Sequence, residues 1–142
     1  MNLRARAASA IAAAALLAVL APGRAVADSA ADAAVRASTP EQRATLQTDW
    51  MRDKLGLSPD VVAKVSEINL DTARKMDPVI KGDGNALSRY AQGEALQKAR
   101  DAALQKVLTP EQFQAFESSK DDMKKKVESA LEAKVAPAAG AN

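Results

Sequence analysis

The side chains that could react or ligate in this sequence are carboxylates, lysines, arginines and a single tyrosine. The 142 residues contain no histidine and no cysteine. This removes the usual base for a serine or cysteine nucleophile and most ligands of zinc and copper. An enzyme would have to work with carboxylates, lysines or Tyr90 alone. We therefore predict a protein that is not an enzyme and has no catalytic residue.

Other candidate sites each have a simpler interpretation. Asp83 in KGDGN resembles a fragment of a calcium loop, but the spaced acidic positions and the closing glutamate are missing. Met51, Met76 and Met123 each fall within an apolar helical series, where methionine fills the core. Tyr90 is expected to lie across a helix surface with its hydroxyl group in water. The sequence thus predicts no metal site and no cofactor.

Four residues are candidates for partner binding. Trp50 is either a buried anchor of its helix or an exposed aromatic residue on a binding surface. Lys124, Lys125 and Lys126 follow two aspartates on one charged stretch, where acids and bases pair at three- and four-residue spacing. The stretch is then a solvated charged helix face, and the alternative is that the same lysines also meet an acidic partner.

These residues are positioned by helices whose start signal recurs. Serine, threonine or aspartate stands directly before a proline at Thr39, Ser58, Asp77 and Thr109. The first residue caps unpaired amides of the first turn, and proline at the first helical position loses no useful donor. After both threonines, a glutamine at the third following position completes a capping box.

Apolar residues between these signals recur at steps of three and four, which predicts helices. Gly56 ends the first helix, Pro78 ends or kinks the second, and 81–85 forms a loop. A third helix is expected over 86–107, and a fourth from Pro110. We predict an all-α fold in which four helices form a thin, hairpin-based layer that is completed by dimerisation.

The first 27 residues have the parts of a secretory signal peptide. Basic residues precede an apolar run over 10–21, and an A-x-A site predicts cleavage between Ala27 and Asp28. The run of about 12 residues is short of the roughly 20 that a membrane-spanning helix needs. We therefore predict an exported protein with no membrane insertion after cleavage.

Cleavage would change the charge balance of the chain. Removal of the three arginines of the leader leaves 17 basic and 18 acidic residues, a net charge of −1. Because nucleic-acid binding needs a clustered basic excess, we predict no nucleic-acid partner.

The sequence predicts four segments in all. A signal peptide (1–27) precedes a flexible leader (28–38), one helical domain (39–135) and a disordered tail (136–142).

Two stretches carry a family resemblance. LTPEQ at 108–112 follows LGLSPDVVAKV at 55–65 by about fifty residues, and the pair resembles the LTxxQ motifs of the Spy and CpxP-like periplasmic proteins. The second copy is complete, with Leu108, Thr109 and Gln112. The first has Leu57 and Ser58, but valine replaces the glutamine. The resemblance spans about residues 50–130.

The resemblance implies a periplasmic protein that forms thin antiparallel dimers of interlocked helical hairpins. Some members of that family bind unfolded envelope proteins without ATP, some restrain a sensor kinase, and relatives bind metals. We expect a non-enzymatic, homodimeric protein of the ATP-independent chaperone or envelope-stress type, which holds unfolded clients on an exposed helical surface. One alternative is an adaptor or negative regulator that binds the periplasmic sensor domain of a signalling system. Another is a helical protein that responds to metal stress.

Overall fold

The computed structural model describes residues 29–135. The predicted signal peptide, the cleavage site at Ala27 and Asp28, and the tail at 136–142 lie outside the described residues. Within 29–135 the chain is all-α, as predicted, and contains no strand. The helices of this range are α1 (Ala30–Ala37), α2 (Pro40–Leu55), α3 (Pro59–Lys81), α4 (Ala86–Val107), α5 (Pro110–Ser118) and α6 (Lys120–Val135).

The capping boxes predicted at two helix starts are confirmed. The Thr39 hydroxyl accepts a hydrogen bond from the Gln42 amide at 3.1 Å, and the Thr39 amide donates to Gln42 Oε1 at 3.0 Å. Thr109 and Gln112 make the same reciprocal pair at the start of α5, both at 3.1 Å. Ser58 precedes α3 in a similar backbone conformation, but its side chain makes no capping hydrogen bond.

Two predicted helix ends have different outcomes. Gly56 ends α2 in the left-handed conformation, with φ of 62°, as the sequence predicts. Pro78 does not end α3, which continues to Lys81. The proline lies in the last turn, and the Gly82 amide closes that turn by donating to the Pro78 carbonyl at 2.9 Å. The Asp77 side chain, predicted as a cap, instead accepts hydrogen bonds from other side chains.

Two further differences concern the number of helices. Residues 30–37, expected within a flexible leader, form α1, which Ser29 and Asp32 cap reciprocally. Ala34 of this helix is buried in the core. The single helix predicted from Pro110 is divided at Ser119, so that α5 and α6 are separate helices.

The division at Ser119 allows α6 to pack against α1 and α2. The core therefore combines residues from all six helices of the described range and from two connections: Ala34, Met51, Leu57, Val65, Leu104, Leu108, Phe116, Met123, Val127 and Leu131. The last three of these are residues of α6. A single helix layer would leave them uncovered, but here they are buried within one chain because α6 packs against α1 and α2.

The pair α3 and α4 forms an antiparallel hairpin around residues 82–85. Asn85 caps α4 by accepting from the Leu87 and Ser88 amides. The first half of α4 is largely exposed, including Leu87 at 76% and Tyr90 at 65%. We call the first five residues of α4, 86–90, the hairpin tip.

Candidate binding cleft

A cleft of about 360 Å³ lies between α3, α4 and α6, with α1 and α2 at its base. We call it the main cleft. Its apolar lining includes Met76, Ile80, Met123 and Val127. Its charged lining consists of Arg43, Arg100, Asp101, Lys120, Asp121, Lys124 and Glu128. A volume of this size falls within the range of ligand sites, and the lining combines apolar and charged side chains.

A second, smaller cleft of about 280 Å³ lies between α3 and α4. We call it the side cleft. Thr72 and Arg100 line both clefts. These two side chains therefore border both spaces.

Arg100 is held in an unusual position for an arginine. It is only 5% exposed and lies on the same face of α4 as Leu96 and Leu104, at four-residue spacing. Its Nη2 donates to Asp101 Oδ1 at 3.4 Å, and its guanidinium carbon lies 5.5 Å from the Phe116 ring centroid. Burial lowers the pKa of Arg100, and the nearby Asp101 carboxylate offsets this effect only in part.

Lys120 makes the shorter of the two cationic contacts with the Asp101 carboxylate. Its Nζ donates to Asp101 Oδ2 at 2.6 Å and also contacts Glu117. It lies 5.3 Å from the Phe116 centroid, so the ring faces two cations. Burial disfavours the charged ammonium, but the bonds to Asp101 and Glu117 raise the pKa of Lys120 above its ordinary value.

Arg43, at the base of the main cleft, is by contrast well supplied with acceptors. It donates to Asp77 Oδ1 at 2.7 Å and to the carbonyl and hydroxyl oxygens of Ser38, both at 3.0 Å. The bond from Arg43 is the largest cause that lowers the pKa of Asp77, and Lys81 acts in the same direction. Arg43 thus joins α1, α2 and α3 structurally.

The structure brings one of the four predicted partner-binding residues to the main cleft. Lys124 lines it, with its Nζ 3.9 Å from Glu128. Lys125 and Lys126 are exposed on α6 and do not line the cleft. Trp50 is partly buried and packs against the core, so it lies between the two alternatives that the sequence left open.

The residues of the two motif copies lie at helix starts, where they occupy capping positions or pack in the core. Leu57 and Leu108, one from each motif copy, are buried in the same apolar cluster. Ser58 and Thr109 are exposed, and Gln112 is partly buried beside the threonine that it caps. The motif therefore starts helices and anchors their first turns in the core.

The methionines and the tyrosine considered in the sequence analysis lie in different parts of the structure. Met51 is fully buried, whereas Met76 and Met123 line the main cleft. Tyr90 donates from its hydroxyl group to Glu94 Oε1 at 3.1 Å at the surface. Within residues 29–135, no three or more acidic side chains are grouped so that they could hold a metal ion. None of the helices in this range is long and apolar enough to cross a membrane.

The sequence did not single out Arg100 as a site residue. The signal was present, since Leu96, Arg100 and Leu104 place an arginine in the middle of an apolar stripe. An arginine at such a position must either extend to solvent or be buried with a partner. Which of these occurs depends on α6, whose position the sequence did not predict.

One protein-family model matches residues 27–116, well over half of the chain, and describes a domain of unknown function, DUF4890. The chain belongs to this family. The DUF4890 segment includes all of α1 to α4 and most of α5, and with them Arg43, Met76 and Arg100. Lys120, Met123 and Val127 of the main cleft come from α6, beyond the matched segment. No curated protein and no solved structure matches the chain.

Proposed function

We propose that the chain is a non-enzymatic periplasmic protein that holds segments of unfolded polypeptides in the main cleft, as an ATP-independent chaperone or envelope-stress protein. The observation that carries this proposal is the composition of the cleft. Apolar side chains from α3 and α6 line it together with charged side chains from α2, α4 and α6. An unfolded polypeptide offers the same mixture of apolar and charged groups.

The apolar surface suits many different ligands. Met76 and Met123 come from opposite sides of the cleft, and methionine is unbranched and polarizable, so that it adapts to irregular partners. Surfaces of this kind bind promiscuously because they repack around each ligand. Scattered weak contacts of this kind suit a holding function better than a shaped catalytic pocket does.

The Spy and CpxP-like resemblance supports the same proposal. Its motif leucines, Leu57 and Leu108, lie in one cluster of an all-helical chain, as expected if the two copies mark equivalent helix starts. In this proposal the hairpin tip contacts a second copy of the chain, and the main cleft remains free for the client.

A charge introduced into the cleft tests the proposal. The complete sequence is expressed, and the secreted product is added at modest molar excess to unfolding client proteins while light scattering follows their aggregation. We expect the wild-type protein to delay aggregation and Ile80→Glu to lose most of the delay, because a carboxylate on the apolar surface disfavours apolar ligands. Val135→Glu is the matched control, since Val135 is exposed at the end of α6, outside the cleft.

Two outcomes would contradict the proposal. The wild-type protein could fail to delay aggregation of several unrelated clients, or both variants could lose activity equally.

The exposed Lys124, Lys125 and Lys126 favour the adaptor as the second candidate. A saturable crosslinked complex with a single partner, together with no effect on aggregation, would support that alternative.

A further inference from the structure

The charge of Arg100 is incompletely compensated by the chain itself. Its Nε–H is buried and has no acceptor among the described residues, and its contact with Asp101 is long, at 3.4 Å. Asp101 gives its shorter bond, 2.6 Å, to Lys120. Arg43, equally buried at 5% exposure, has five acceptor contacts, including a carboxylate at 2.7 Å. A buried donor without an acceptor is costly, and Arg100 borders the clefts where a ligand could supply one.

We propose that the main cleft selects polypeptide segments in which a carboxylate stands among apolar residues, and that this carboxylate accepts a hydrogen bond from the guanidinium group of Arg100. This inference rests on the proposed function, since it takes the ligand to be a polypeptide. The carboxylate comes from an aspartate or glutamate side chain or from the C-terminus of the client. Met76, Ile80 and Met123 contact the apolar neighbours of the carboxylate.

The charge of the cleft favours a ligand with one negative charge. Four cationic residues line it, Arg43, Arg100, Lys120 and Lys124, against three anionic ones, Asp101, Asp121 and Glu128. Arg43 is already paired with Asp77 at 2.7 Å, and Lys120 is paired with Asp101 and Glu117. Of the two buried arginines, Arg100 therefore has the longer ion pair, 3.4 Å. A single carboxylate would give Arg100 a further acceptor, whereas a doubly charged phosphate would add more negative charge beside Asp101, Asp121 and Glu128. A planar carboxylate also matches the fork geometry of a guanidinium group.

The environment of Arg100 gives independent support. Burial lowers the pKa of its guanidinium group, which means that the free protein disfavours the charged form. Arginine nevertheless stays protonated in proteins, so the cost remains until a negative charge approaches. A bound carboxylate would remove part of this cost, while the guanidinium carbon keeps its position 5.5 Å from the centre of the Phe116 ring.

Fluorescence anisotropy with paired peptides tests the inference. Two labelled nonapeptides share an apolar sequence and an amidated C-terminus and differ only in a central glutamate or glutamine. We expect the secreted product of the complete sequence to bind the glutamate peptide about tenfold more tightly, since hydrogen bonds to charged groups are stronger than neutral ones. A third peptide, with the glutamine and a free C-terminus, separates the terminal carboxylate from the side-chain carboxylate.

Two variants test whether Arg100 causes the preference for the glutamate peptide. Arg100→Gln is expected to bind both central residues equally, whereas Arg74→Gln keeps the preference, because Arg74 is exposed and pairs with Glu41 outside the cleft. Circular dichroism checks that each variant folds. If Arg100→Gln does not fold, the wild-type protein still provides a readout. One arginine Nε–H resonance should shift with the glutamate peptide and stay in place with the glutamine peptide.

The outcomes separate the two proposals. Equal affinity of the wild-type protein for all three peptides, together with delayed client aggregation, would overturn the carboxylate selection and leave the proposed function intact. Absence of any peptide binding and of any effect on aggregation would overturn both. A preference for glutamate that Arg100→Gln retains, or an unchanged set of Nε–H resonances, would also overturn the role of Arg100.

Discussion

Arg43 connects three helices through one guanidinium group. It donates to the last turn and C-cap of α1, to the Ala73 carbonyl of α3 at 3.4 Å and to Asp77 at 2.7 Å. A buried charge with one partner removed is strongly destabilising, because the remaining charge is left without compensation. Loss of Asp77 would therefore leave the Arg43 charge with only neutral acceptors at the place where α1, α2 and α3 meet.

The Arg43–Asp77 pair predicts a pH dependence. The pKa of Asp77 is lowered by its bond to Arg43, so the folded state favours the carboxylate. This stabilisation is present above the ordinary aspartate pKa of about 3.9 and is lost as the pH falls through the lowered folded-state value. We expect Asp77→Asn to lower the free energy of unfolding at pH 7 by about 1–3 kcal/mol and to reduce the loss of stability between about pH 5 and pH 2.

Urea titrations over that pH range measure both effects. Asp71→Asn is the control, since the Asp71–Lys75 pair is more than half exposed and exposed pairs contribute about 0–1 kcal/mol. Equal pH profiles for the wild-type protein and Asp77→Asn would show that the pair does not act as described.

The helix starts differ although their sequences look alike. Thr39 and Thr109 cap α2 and α5 through reciprocal bonds with the glutamines at the third following position. Ser58 has the same position before α3 without a side-chain bond, and Val61 at the third following position has no polar group to return one. At the level of the helix, the degenerate motif copy is a weaker start.

This difference is measurable by substitution. Thr109→Ala removes the capping oxygen and is expected to lower the free energy of unfolding by about 1 kcal/mol, within a usual range of roughly 0.5–2 kcal/mol. Ser58→Ala should change it by much less, because no capping bond is lost. Chemical denaturation monitored by circular dichroism compares the two. Equal losses for both variants would contradict the capping assignment.

Local signals in the sequence explain which helices were predictable. The capping boxes and Gly56 act within one turn of chain, so residue identity alone was sufficient. The division at Ser119 has no proline or glycine to mark it, and α1 begins with a Ser29–Asp32 box that alanine-rich composition obscured. The continuation of α3 through Pro78 was missed because a proline near a helix end breaks few bonds.

The cleft was less predictable than the helices. Its charged and apolar sides come from α3, α4 and α6, whose shared geometry depends on α6 packing against α1 and α2. That arrangement buries Met123, Val127 and Leu131, which periodicity identified only as apolar positions. Sequence periodicity shows which residues share a helix face, and it does not show which other helix covers that face.

For the whole molecule, the packing of α6 changes the case for a dimer. A single layer would need a second chain to cover its apolar stripes, whereas here α6 covers them within one chain. Within the described residues, the large apolar side chains that stay exposed are Leu87 and Tyr90 of the hairpin tip and Val135 at the end of α6. Because Leu87 and Tyr90 lie together on one helix face at three-residue spacing, we place the proposed homodimer contact at the tip.

Sedimentation equilibrium of the purified protein tests this proposal. We expect a mass of twice that of one chain at tens of micromolar protein, and a shift toward the monomer for Leu87→Glu, which introduces charge into the proposed contact. Val135→Glu, an exposed apolar position on α6, is the control and should leave the mass unchanged. A wild-type protein that is monomeric at these concentrations would contradict the dimer.

The distribution of aromatic residues has an optical consequence. The chain has one tryptophan and one tyrosine, and they lie in different regions. Trp50 packs against the core, whereas Tyr90 is exposed at the hairpin tip. Tryptophan emission thus follows the interior of the protein, and tyrosine absorbance follows the tip. The protein carries two natural chromophores that distinguish an event at its surface from unfolding, without any added label.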